Sequence, residues 1–190
     1  MSRESAIDIW RRLEAKGARV RYRPVTRADI EKAETQLKVR LPPSYVELVT
    51  TLGAPAVLPR LPPGADPKRA ENLDFTVLIP REIVKWTKEL RRSLDPDMFE
   101  EPESLERVRK QLANAIFFQF GVDAGEGFVF LVDTADASGE MKVADYSHEY
   151  IEELDWGPDS AVVFASLAAA TANAATQIED SWDEYCDRPA

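Results

Sequence analysis

The chain has 190 residues, of which 44% are hydrophobic and 31% charged, a balance that suits one soluble, folded domain with a sizeable core. Its formal net charge of −10 opposes nucleic acid and anionic membranes. The lone Cys186 excludes an internal disulfide, and the opening MSRESAIDIW lacks an apolar run of signal length, so a cytoplasmic location is expected.

Taken in order, Glu4 to Lys16 carries Ile7, Trp10 and Leu13 at helical spacing and is ended by Gly17. A strand-like RVRYRP follows. Thr26 to Gly53 then predicts two short amphipathic helices. Thr26 is placed as an N-cap with Asp29 three residues on, and Ile30, Ala33, Leu37 and Leu41 share one face. Pro42 and Pro43 stop that helix and suit the first turn of the next. Tyr45, Leu48, Val49 and Leu52 stripe the second helix, and Gly53 ends it. Pro55 to Asp66 reads as proline-rich loop, Leu73 to Ile79 as a strand, and Pro80 as the start of a helix carrying Ile83, Val84 and Leu90.

Asp95 to Glu103 reads as a polar connection and Ser104 to Ala113 as a helix. Three apolar runs of strand length follow: Ala115–Phe120, Gly127–Val132 and Met141–Tyr146, joined by turn sequence that suits an antiparallel meander. The uncharged run Ser160 to Ile178 is mostly alanine and too poor in large apolar side chains to insert in a membrane. Val163, Leu167, Ala170, Ala174 and Ile178 lie on one face, so it is expected as a buried C-terminal helix. The sum is an α+β fold, a single domain with a central, mainly antiparallel sheet flanked by helices. Residues 1–24 form an N-terminal helix and extension, 25–178 the domain, and 179–190 a tail.

The segment from Ile30 to Gly53, with Glu31, Glu34, Leu41, Pro42, Ser44, Tyr45 and Leu48, resembles the opening of the SUKH superfamily, domains related to fungal cell-wall assembly regulators and found as bacterial immunity proteins. Ile83, Val84 and Trp86 resemble its middle helix, and Ile116, Phe117 and Phe118 the strand that leads into its sheet. Gly127 to Asp133 resembles its central strand, Met141 to Tyr146 the next strand, and Val162 to Leu167 the start of its final helix. The chain departs from the pattern at Gly125-Glu126-Gly127 and in the acidic stretch Ser147 to Ser160. The resemblance implies a domain whose trade is protein binding, with no cofactor.

Catalytic patterns are sparse. His148 is the only histidine and reads as an exposed loop residue. Asp133, Asp136 and Glu140 offer oxygen ligands to a hard cation but lack EF-hand spacing, and acids commonly solvate a hairpin turn, which is the reading preferred. Gly121 to Gly127 lacks the Lys-Ser/Thr of a phosphate loop. No metal ligand or catalytic residue is assigned.

Charge is the stronger signal. Residues 1–95 hold 19 Lys and Arg against 13 Asp and Glu, whereas residues 96–190 hold 5 against 21. Within Val122 to Asp159 eleven acids face one base, Lys142. The expected partner-binding residues are Asp123, Glu126, Asp133, Asp136, Glu140, Asp145, Tyr146, Glu149, Tyr150, Glu152, Glu153, Asp155 and Trp156, the aromatics being placed in polar, loop-like sequence as interface anchors. The resemblance supplies an immunity protein that neutralises a cognate toxin; the charge makes that toxin basic, as a nuclease domain is. Two alternatives stand beside it: a regulatory scaffold binding endogenous proteins, and an enzyme with a concave carboxylate pair acting on a cationic or glycosidic substrate.

Overall fold

A computed structural model describes residues 4–58, 75–92, 94–121, 126–151, 154–157 and 160–180. It is α+β, with a two-stranded and a four-stranded antiparallel sheet and six helices among those residues.

Helix α1 (Ala6–Ala15) starts from a capping box between Ser5 and Asp8 and buries Ile9, Trp10 and Leu13. Strand β1 (Val20–Arg23) leads to α2 (Arg27–Leu37), whose Thr26–Asp29 capping box has both reciprocal bonds. Lys38 in the left-handed region ends α2. Helix α3 (Pro43–Thr51) begins at its proline and buries Tyr45, Leu48 and Val49. Gly53, at φ 91°, turns the chain into β2 (Ala54–Val57); a Cβ there would stand 2.7 Å from the Arg23 carbonyl oxygen.

Strand β2 pairs with β1 where loop was expected from Pro55 onward. The Pro55 carbonyl still serves the pairing, accepting from the Val77 amide. The strand expected over Leu73–Ile79 is reduced to isolated bridges at Thr76 and Val77; Leu73 and Asp74 lie outside the described residues. Phe75 at φ 48° and Pro80 bound the extended stretch, which bonds β2 on one side and the large sheet on the other, so that it ties the two sheets together. Helix α4 (Pro80–Arg92) follows, and α5 (Pro102–Ala113) starts at a proline two residues before the expected point.

The large sheet runs β3 (Ala115–Phe120), β4 (Glu126–Leu131), β5 (Lys142–Ser147), β6 (Val163–Phe164), each antiparallel to its neighbour. Gly127 lies beside the bulge in β3, where a Cβ would come within 2.3 Å of the Gln119 carbonyl. One face of the sheet stacks Phe118 on Phe130 at 3.9 Å and meets Tyr45 of α3 edge-on; the Tyr45 hydroxyl donates to the Leu78 carbonyl. The other face carries Phe117 against α4, where the Thr87 hydroxyl accepts the Phe117 amide.

Helix α6 (Leu167–Asp180) buries Leu167, Ala170, Ala174 and Ile178 as expected and packs on α1. Val163, expected on that helix, belongs instead to β6. Branched and aromatic side chains fit a pleated edge better than a helix start, and Ser166 accepts the Ala169 amide where α6 begins.

Candidate functional site

Successive residues of β5 point to opposite faces. In register, Phe128 stands opposite Asp145, Gly127 opposite Tyr146 and Glu126 opposite Ser147, so Glu126, Asp145 and Ser147 share one side. Strand β6 covers only Val143 and Ala144. Beyond it the chain is held by the Asp145 amide donating to the Val162 carbonyl and by the Trp156 indole N–H donating to the Asp145 carbonyl at 2.9 Å. The short edge strand therefore leaves a cleft of about 440 Å³. Glu126, Asp145 and Asp155 bring carboxylates to it, Tyr150 and Val162 form exposed walls, and Trp156 with Leu154 makes the floor.

Among the described residues no lysine or arginine lines this cleft. Burial pushes the Asp145 carboxyl up from its ordinary range, with the Tyr146 backbone amide opposing in part. Asp145 has no described side-chain partner for that carboxylate, and the Ser147 hydroxyl beside it is buried and unpaired. Asp155 accepts the Gly157 amide and is otherwise exposed. A concave, negative, partly desolvated surface of this kind favours a cationic group that supplies the missing donors.

Five of the expected binding residues thus meet in one place: Glu126, Asp145, Tyr150, Asp155 and Trp156. Glu149 is exposed in the turn beside Tyr150. Asp133 lies in a different cleft with Lys110 and Lys142. Asp136 closes its own turn by accepting from Ser138 and the Glu140 amide, bonds that hold its carboxyl below the usual range. Glu140 accepts from both the amide and the hydroxyl of Ser44, each at 2.7 Å, and so caps α3, whose own N-cap is a proline without a side-chain bond. Asp123, Glu152 and Glu153 lie outside the described residues.

Of the three aromatics expected in loop-like sequence, Tyr146 lies within β5, and only Tyr150 is exposed. Tyr146 and Trp156 are 6% and 8% exposed and belong to the core, while Tyr150 is 61% exposed. A polar flanking sequence concealed the first two: Tyr146 is carried inward by strand alternation, and Trp156 buries its ring while its N–H reaches the Asp145 carbonyl. Val162 and Ser160, which complete the cleft, carried no local signal, since the segment reads as part of the last helix.

His148 is exposed in the turn after β5. No group of three or more His, Cys, Asp and Glu among the described residues is arranged for a metal, and no helix there is long and apolar enough to cross a membrane.

The chain is thus an α+β domain with an open cleft at a sheet edge, lined by Glu126, Asp145 and Asp155. A model of the SMI1 / KNR4 family (SUKH-1) matches residues 24–187, and the chain belongs to that family. Membership is consistent with an immunity-type or regulatory domain, and domains of this family are generally non-enzymatic and protein-binding. No curated protein and no solved structure shows significant similarity to the chain.

Proposed function

We propose that this protein is an immunity protein that binds a basic toxin, such as a nuclease domain, through the cleft at the C-terminal end of β5. The observation that carries the reading is the half-buried Asp145 carboxylate, flanked by Glu126 and Asp155 in a cleft that no described cation lines. Half-burying a carboxylate with only a backbone amide to answer it is costly, and an incoming arginine or lysine offsets that cost. A nuclease must hold a polyanion, so its cleft is basic, and an acidic protein can occupy or shadow it. Tyr150, with its ring exposed, supplies contact area at little entropic cost. Glu149, Asp133 and the acids of the β4–β5 turn extend the negative field that steers the approach.

The test is co-purification with the product of the adjacent reading frame, followed by killing and rescue. Expression of that neighbour is expected to kill cells, and co-expression of this chain to restore growth. A neighbour that is harmless, or toxicity this chain does not relieve, removes the immunity reading in favour of a regulatory domain that binds endogenous proteins.

A further inference from the structure

On the opposite side of β5 from the acidic cleft lies a second hollow, of about 230 Å³, between α4 and the sheet. Its wall is a chain of edge-to-face aromatics. Trp86 meets Phe120 at 5.1 Å, Phe120 meets Phe117 at 5.1 Å, and Phe117 meets Tyr146 at 6.0 Å. Trp86 is 36% exposed, on a helix whose outer face is otherwise charged.

The polar groups at this hollow share one character. Glu89 lines it and makes no ion pair or hydrogen bond with any described residue. The Tyr146 hydroxyl, on a side chain more than nine-tenths buried, likewise has no described hydrogen-bond partner. His148 stands at the rim. Carboxylate, phenol oxygen and ring faces all attract positive charge, and no lysine or arginine is part of the lining. Trp86 already holds a cation from within the chain, the Lys85 ammonium 4.7 Å from its ring centre.

We propose that this hollow receives an arginine or lysine side chain of a protein partner. The aliphatic stem lies against Leu90 and the aromatic wall, the cationic head pairs with Glu89, and the Tyr146 oxygen accepts one of its N–H groups. The proposal rests on the reading above for the sign of the partner. Strand alternation gives it a geometric basis, because Asp145 and Ser147 face the cleft while Tyr146 and His148 face the hollow. A basic partner laid across the end of β5 meets both.

Acetyl-arginine amide, its neutral counterpart acetyl-norleucine amide and acetyl-glutamate amide, each titrated into the full chain, test the proposal through the Trp86 indole NMR signal. The arginine probe is expected to move that signal and to bind about tenfold more tightly than norleucine, and the glutamate probe to leave it in place. Glu89→Gln should weaken arginine binding read at Trp86 about tenfold and Tyr146→Phe about threefold. Equal binding of norleucine makes the hollow an apolar socket and overturns the proposal. So does an arginine probe that moves only signals of the cleft, or self-association of the chain that Trp86→Ala abolishes, which would make a second copy the occupant. Failure of toxin rescue leaves these shifts standing, and their absence leaves the cleft reading intact.

Discussion

Asp8 and Asp29 each close a capping box, Glu34 holds the Leu41 amide, and Glu82 grips Arg23 through both oxygens while capping α4 at Ile79. Around β5 the same residue types behave differently. Glu149 and Asp133 make no described side-chain hydrogen bond or ion pair, and the half-buried Asp145 carboxylate has only the Tyr146 backbone amide. Carboxylates of the first half mostly hold helix ends and loops in place, whereas Asp145, Glu149 and Asp133 cap no helix and pair with no cation among the described residues. Charge that is not used for folding is available for recognition. Glu140 shows that the division follows contacts and not sequence position, because it sits in the acidic half yet caps α3.

Removing carboxylates one at a time and following urea denaturation separates the two groups. Glu82→Gln is expected to give the largest loss, about 2 kcal/mol, because it strips a part-buried arginine of its partner and α4 of its cap. Glu140→Ala should cost about 1 kcal/mol, the ordinary worth of a helix cap. Glu179→Gln, which frees Lys16 and Arg12 of α1 from α6, should cost less than about 1 kcal/mol. The Lys16 and Arg12 contacts lower the Glu179 carboxyl, so its contribution is present above the ordinary glutamate range and fades as pH falls through the lowered value. Glu149→Gln is expected to fall within about 0.5 kcal/mol of the parent chain.

Asp145→Asn should go the other way. Burial raises the folded carboxyl above its unfolded counterpart, so the folded chain holds that proton more tightly. Stability is then greatest below the unfolded value and declines as pH rises through the raised one. The asparagine variant is expected to be more stable than the parent at neutral pH and indistinguishable from it in acid below the ordinary aspartate range. A variant less stable at neutral pH would mean that the Asp145 charge supports the fold.

Thr26 to Gly53 was legible in the sequence because its signals are local: a capping pair three residues apart, two prolines and a glycine at a positive φ. The β3–β4–β5 meander was legible for a similar reason, with apolar runs separated by turn residues. Strands β2 and β6 were not, since each owes its form to a neighbour distant in sequence and not to its own composition. The cleft was half legible. Counting acids finds the region, but cannot show that Asp136 and Glu140 are engaged, that Tyr146 turns to the other face, or that Trp156 is a floor and Tyr150 a wall. Those distinctions come from strand alternation and from a contact, Glu140 to Ser44, spanning 96 positions.

Association kinetics with the neighbouring gene product show whether the acids at the end of β5 serve a basic partner. The parent chain should associate fast at low salt and slow steeply as salt rises. Reversing Glu126, Asp145, Glu149 and Asp155 to lysine together should slow association about tenfold to a hundredfold and flatten that salt dependence. An unchanged rate and an unchanged salt slope in the folded variant would contradict that role.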